Sequence, residues 1–263
     1  MTFDLVVATV DRVDELGRLL ESLERQRHRD FRVLLVDQND DGRVERVLAG
    51  HPALSVERLR APRGLSRARN VALPLVRGDI VAFPDDDCAF PDDLLERVAA
   101  RLAADPALDG VTGRAPGPAS WKHDAAVLTR ENLWNRAISF TIFLRRAAVE
   151  RVGRFDEALG LPSSSGEEID YLIRALDQGA RIEYDRTLVV IHPDKPFDAV
   201  AVGARDGASI GYILRKHRYR PATIARMVVR PAGGILLALA RRDRAGARFH
   251  LATLRGRLEG YRS

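Results

Sequence analysis

The sequence predicts an α/β protein: a mostly parallel sheet with helices on both faces, followed by a basic helical C-terminal extension. Three observations carry that reading. Short Val- and Leu-rich runs alternate with amphipathic stretches over the first two-thirds of the chain. Turn-forming and acidic residues stand where the apolar runs stop. Beyond about residue 200 the pattern becomes helical and rich in Arg. With 263 residues, 46% of them hydrophobic, the chain has enough apolar material for one large domain and an appendage. Residues 1–200 are assigned to the α/β domain and 201–263 to the extension.

The elements follow in order. "DLVVATV" opens the chain as a strand covering residues 3–10. Asp11 stands where a helix cap belongs, and Val13, Leu16, Leu19, Leu20 and Leu23 recur at helical spacing behind it. "FRVLLVD" (31–37) is a second strand, "QNDDG" a turn, and 43–49 a short helix. "LSVERLR" (54–60) alternates like a third strand. "GLSRARNVALPLV" (64–76) reads as a helix that Pro74 ends or bends. "DIVAFPD" (79–85) is a fourth strand, apolar on both faces, and a helix runs from Pro91 to about Ala104. The Gly/Pro-rich stretch after 106 gives way to mixed helix and strand. "SSSGEEIDYLIRALDQGA" (163–180) is a Ser/Gly loop entering an amphipathic helix, with Ile169, Leu172, Ile173 and Leu176 on its buried side, and "TLVVIHP" (187–193) is a last strand.

Composition excludes some functions. One cysteine, Cys88, cannot form an internal disulfide, so a reducing, cytoplasmic setting is expected. The N-terminus already reads as a strand, so no signal peptide is expected. No uninterrupted apolar run reaches ~18 residues, so no membrane span is expected either. Charge is divided unevenly: residues 203–263 carry 14 Lys+Arg against 3 Asp+Glu, which leaves the rest of the chain acidic although the whole is +5. A basic tail on an acidic body suits an anionic surface. Nucleic acid is not expected as that surface, because the tail has no recognition motif.

The fourth strand runs into Asp85, Asp86 and Asp87. Adjacent carboxylates repel, and ligands of parallel α/β sheets gather beyond the carboxyl ends of strands. A divalent cation keeps such acids ionised. In an extended segment Asp85 and Asp87 face one side and Asp86 another, leaving much of the cation's coordination open for a diphosphate. Neither G-x-G-x-x-G nor G-x-x-x-x-G-K-[ST] occurs, so no Gly-rich loop cradles phosphate.

"VVATVDR", "LLVDQND", "GLSRARNVAL", "DDD" and "GEEID", in this order and spacing, resemble the family 2 glycosyltransferases of the GT-A fold over residues 3–195. The resemblance implies inverting, Mn²⁺- or Mg²⁺-dependent transfer of a sugar from a nucleotide-sugar donor. It implies that Thr9, Asp11 and Arg12 surround the nucleotide base and that Asp37 hydrogen-bonds base or ribose. Arg69 and Asn70 match the family's "aRN" and would lie near base and phosphates. Asp85 and Asp87 match its D-x-D, with Asp86 beside the nucleotide and Asp87 as the more direct metal ligand. His192 falls where related enzymes place a metal or diphosphate ligand, and an imidazole favours Mn²⁺.

In-line displacement needs a carboxylate to take the acceptor hydroxyl's proton. The resemblance assigns that base to Glu168, with neighbouring Glu167 as the other candidate, where the family usually has Glu-Asp. The extra methylene matters, because ~1 Å of misplacement can cost ~10²-fold in rate. Trp121, Trp134 and Asp170 are expected near the acceptor, a polysaccharide, lipopolysaccharide or glycolipid. The apolar and Arg-rich tail, broken at Arg230–Pro231, reads as too short to span a membrane. It reads equally as a packed helical hairpin or as a peripheral contact with the inner face of the cell membrane. Two rivals remain. A sugar-1-phosphate nucleotidyltransferase lacks its Gly-rich loop here, and a non-catalytic glycan- or nucleotide-binding relative has only Glu168 in its favour.

Overall fold

A computed structural model of the chain describes residues 1–116, 124–161, 164–193 and 198–263. They form two compact units, Met1–Phe155 with Tyr171–Pro193, and Asp156–Asp170 with Asp194–Ser263.

The first unit begins with the expected βαβ rhythm: β1 (Phe3–Thr9), α1 (Val13–Glu24), β2 (Phe31–Asp37), α2 (Arg43–Ala49), β3 (Val56–Arg60), α3 (Leu65–Ala72), β4 (Ile80–Ala82) and α4 (Leu94–Ala104). It continues with β5 (Gly110–Arg114), β6 (Ala126–Val127), β7 (Ile142–Arg145), α5 (Arg146–Val152), α6 (Glu167–Asp177) and β8 (Ile182–Val189). The first turn of α6, through Asp170, belongs to the second unit. Among the described residues the strands form one sheet in the order β3-β2-β1-β4-β7-β5-β8-β6. Only β7 and β6 run against the rest, so the sheet is mostly parallel, as the sequence predicts.

Strand alternation explains the layers. Phe3, Leu5, Val7, Val33 and Leu35 join Leu16, Leu19, Leu20 and Leu23 of α1 and Leu94, Leu95, Val98 and Leu102 of α4 in one core. The alternate residues Val6, Leu34 and Val36 are equally buried and face the side where α3 packs on β1 and β2. Strands apolar on both faces are what a helix-covered parallel sheet requires.

Among the boundaries that differ from the sequence reading, three have a clear local cause. Pro91–Asp93 form a turn, with the Leu94 amide donating to the Pro91 carbonyl, and α4 starts after it. The helix at 64–76 stops at Ala72 and tightens into a 3₁₀ turn at Leu73–Leu75, where Pro74 lies. The last strand covers Ile182–Val189 rather than 187–193. Its charged residues hide a strand whose Ile182, Tyr184 and Leu188 are buried.

In the second unit, α7 (Ala199–Lys216), α8 (Pro221–Ala240) and α9 (Arg244–Arg262) form the helical C-terminal region. Asp198 caps α7 by accepting from the Val200 and Ala201 amides, and Asp243 caps α9 through the Gly246 amide. Gly203, Gly207 and Gly211 of α7 face the α9 backbone at Phe249, Thr253 and Arg257, and Gly256 and Gly260 of α9 face the α7 backbone at Ala204 and Ala208, so closely that an added Cβ would crowd a carbonyl. The small-residue spacing therefore sets how near the two helices approach.

Arg230–Pro231 does not break the tail. α8 continues through Pro231 for 20 residues, and it is long and apolar enough to cross a membrane by length and composition. It passes that test although Arg226 and Arg230 interrupt its apolar run, so no uninterrupted run of that length is needed. Proline has no amide hydrogen, so the carbonyl four residues back, Met227, loses its helical donor. The Arg257 guanidinium from α9 donates to that carbonyl. Replacing Arg257 by Leu should lower stability by about 1–3 kcal/mol in urea unfolding. In a Pro231→Ala background, where an amide again serves Met227, the same replacement should cost less.

Candidate active site

The strand order turns back on itself at β1, which has β2 on one side and β4 on the other. Such a switch point leaves a crevice beyond the strands' carboxyl ends. Thr9 and Asp37 close β1 and β2 opposite one another. After β4, Asp85 makes an isolated parallel bridge to Ala8, which carries the acidic triplet to the same edge.

The triplet is not extended. The Cys88 amide donates to the Asp85 carbonyl at 3.2 Å, closing a tight turn. Asp85 and Asp87 nevertheless converge, and the turn rather than strand alternation brings them together. An antiparallel bridge between Ala89 and Ile191 then sets His192 against them. One donor atom from each of Asp85, Asp87 and His192 lies within 4.8 Å of the others. Two carboxylate oxygens and an imidazole nitrogen are a donor set that suits Mn²⁺, and also Mg²⁺. His192 Nε2 stands 3.1 Å from Asp87 Oδ1, and its ring stacks on Phe140 at a 4.8 Å centroid distance. The hydrogen bond to Asp87 raises the His192 pKa, against the opposing effect of burial.

Cations and donors hold the acids in place. Arg12 Nη1 lies 2.8 Å from Asp86 and 2.9 Å from Asp87. Burial pushes the Asp86 carboxyl up, while Arg12 and then Thr9 pull it back. Although Arg12 pairs with it, the net shift is upward, because Asp86 is 4% exposed and next to another carboxylate. Ser139 Oγ lies 3.2 and 3.3 Å from the two oxygens of Asp85. Arg69, 1% exposed, sits 5.6 Å from the Phe83 ring centroid and 5.3 Å from that of Phe155, with Nη2 3.5 Å from Asp85. Cys88 is buried beneath the turn, and burial pushes its thiol well up, which makes it a core residue.

A glycosyl transferase family 2 model matches residues 4–152. The chain belongs to this family. It is 27% identical over 254 residues to a pre-mycofactocin glycosyltransferase of Mycobacterium tuberculosis, covering 89% of this chain and 51% of that one. It thus spans about half that relative's length. It is 24% identical over 209 residues to glycosyltransferase AglE of Haloferax volcanii, covering 73% and 67%. Two solved structures share the GT-A fold. The mannosyltransferase PcManGT of Pyrobaculum calidifontis, in complex with GDP-Man and Mn²⁺, superposes with TM-score 0.71 at 18% identity, covering 98% of this chain and 86% of that one. S. aureus TarS 1–349 in complex with UDP gives 0.63 at 19%, covering 96% and 90%.

Several sequence-assigned positions of this family 2 chain have partners within the protein. Asp11 does not cap α1. Its φ is +59°, its amide donates to Asn39 Oδ1, and its carboxylate pairs with Arg63 at 2.8 Å and Arg43 at 3.3 Å. Asn70 clamps the backbone of Phe155. Its Nδ2 donates to the Phe155 carbonyl at 3.0 Å and its Oδ1 accepts from the Phe155 amide at 2.7 Å. Asp37 is fully buried. Arg58 lies 2.6 Å from Oδ2, and the Asn39 amide and side chain donate to Oδ1. Burial opposes its charge, but these donors win and hold its pKa below the ordinary value. Trp134 is half-buried and donates from its indole to the Arg130 carbonyl, and Trp121 lies outside the described residues.

In the second unit, Glu167 and Glu168 stand in the first turn of α6, behind Gly166 at φ +81°. Asp170 is wholly buried, with Lys216 Nζ at 2.6 Å and His217 Nε2 at 2.8 Å. It fastens the start of α6 to the C-terminal end of α7. Lys216 also lies 2.6 Å from Asp156, which accepts from Tyr212 as well.

The sequence reading missed Ser139, Phe140, Asn39 and Arg58. Ser139 and Phe140 lie in a stretch without periodicity. Arg58 stands opposite Leu35 in the parallel β2–β3 register, one diagonal step from Asp37, and only that pairing brings its guanidinium to Asp37. Asn70→Ala should lower stability by about 2–4 kcal/mol in denaturant unfolding, because it strands a buried amide and a buried carbonyl of Phe155.

Proposed function

We propose that this glycosyltransferase performs metal-dependent, inverting transfer of a sugar from a nucleotide-diphosphate sugar to a glycan, polysaccharide or lipid-linked acceptor. The observation that carries the reading is the meeting of Asp85, Asp87 and His192 at the sheet's switch point. Asp85, Asp87 and His192 would hold Mn²⁺ or Mg²⁺. When bound, the cation supplies positive charge against the donor's diphosphate. Arg12, partly exposed and already paired with Asp86 and Asp87, offers a second positive group at the same edge. Thr9, Asp11, Asp37 and Arg69 belong to the nucleotide end of the cleft in this reading, with Asp37 acting through Arg58 and Asn39. Glu168 takes the proton of the acceptor hydroxyl as its oxygen bonds to the anomeric carbon. The bond from that carbon to the diphosphate oxygen breaks, and the nucleoside diphosphate leaves. Residues 1–200 carry the transfer, and residues 201–263 bring the protein to the inner face of the cell membrane.

The solved GT-A relatives named above were captured with GDP-Man and Mn²⁺ and with UDP, which supports a nucleotide-sugar donor here. A thermal-shift screen of UDP-, GDP-, dTDP- and CDP-sugars should give one donor whose stabilisation requires Mn²⁺. Asp87→Asn should abolish that requirement together with the binding. Glu168→Gln should keep Mn²⁺-dependent donor binding and lower donor turnover by ~10²–10⁴-fold. Full turnover in Glu168→Gln would remove it as the base, and donor binding indifferent to divalent ions would remove the metal.

A further inference from the structure

The outward face of α8 is the largest feature that glycosyl transfer leaves unused. At helical spacing, Ala222, Arg226, Val229, Arg230, Gly233, Leu236, Leu237 and Ala240 share one face. Val229 is 65% exposed, Leu236 70% and Leu237 53%, and only 11% of the helix's most apolar window is buried. Soluble surfaces rarely leave so many large apolar side chains of one helix open. The strip is bracketed by cations. Arg226 and Arg230 precede the leucines, Arg241, Arg242 and Arg244 follow them, and no acid occurs from Pro221 to Arg242.

We infer that α8 is an in-plane membrane anchor. Its Leu236–Leu237 end enters the acyl boundary of an anionic phospholipid leaflet, and the flanking arginines engage the phosphates. Charge complementarity selects this occupant, because an apolar strip ringed by arginine fits an anionic interface.

A spanning α8 is disfavoured by its neighbour. α9 packs antiparallel along the opposite side of α8: His250 lies against Gly234, and Arg257 reaches Met227. α9 carries Arg244, Arg248, Arg255, Arg257 and Arg262. A crossing α8 would draw those charges into hydrocarbon, where each is costly. Lying flat, α8 keeps α9 on the aqueous side. This deepens the membrane contact included in the proposed function, but its test needs no transfer activity, so either can fail alone.

The test is flotation of the full chain with vesicles of phosphatidylcholine, with and without phosphatidylglycerol. Binding is expected to vesicles containing phosphatidylglycerol. It should be at least about tenfold weaker for Leu236→Glu/Leu237→Glu and for Arg241→Glu/Arg242→Glu. Both pairs are exposed, and circular dichroism checks that each variant is folded. An alkaline carbonate wash should release the wild type. Absence of binding, or equal binding by the leucine variant, overturns the inference. So does a wild-type dimer that the leucine variant dissolves without any lipid binding, because a second copy then covers the face. Resistance to carbonate overturns the in-plane orientation.

Discussion

Three aspartates in one tight turn cannot stay ionised without compensating charge, and the region around the switch point is arranged to supply it. The Asp85–Cys88 turn gathers the carboxylates at the edge where β1 and β4 end. Arg12 answers Asp86 and Asp87 from the start of α1, Arg69 approaches Asp85 from α3, and His192 meets Asp87 from beyond β8. Elements far apart in sequence are thus committed to one small volume. Arg69 shows the cost of the arrangement: a wholly buried guanidinium needs the Phe83 and Phe155 faces and the Asp85 carboxylate to be tolerated. A cation held there would relieve the same repulsion, which is why the arrangement reads as a site and not as packing.

Much of this was legible in the sequence, and what escaped did so for physical reasons. The first two βα units could be read because Val/Leu runs buried on both faces and the α1 periodicity leave little ambiguity. The acidic triplet could be read because its self-repulsion has no structural use. The roles of Asn70 and Asp170 could not. A polar residue that clamps a distant backbone, or accepts a distant lysine, is indistinguishable in sequence from one facing a ligand. Asn70 and Phe155 are 85 positions apart, and Asp170 and His217 are 47 apart. The convergence of Asp85 and Asp87 was expected for the wrong reason, since a turn achieves what strand alternation was thought to do.

The helical unit obeys a different rule, backbone proximity. Glycines four residues apart let the backbones of α7 and α9 approach closely. Pro231 survives within α8 because Arg257 replaces the missing donor at Met227. The sequence reading took that proline as a stop. The signal that would have corrected it, an arginine 26 residues downstream on an antiparallel helix, exists only in three dimensions. With α9 serving one side of α8, the leucines of the other side are left outward.

The central claim is that Asp85, Asp87 and His192 act together on one divalent cation. Pulsed electron paramagnetic resonance of Mn²⁺ bound to the full chain tests it most directly, because a coordinated imidazole imprints nitrogen modulation on the manganese echo. The account predicts that modulation in the wild type and its disappearance in His192→Gln with Mn²⁺ still bound. Bound Mn²⁺ without nitrogen coupling in the wild type, or unchanged coupling in His192→Gln, would contradict it.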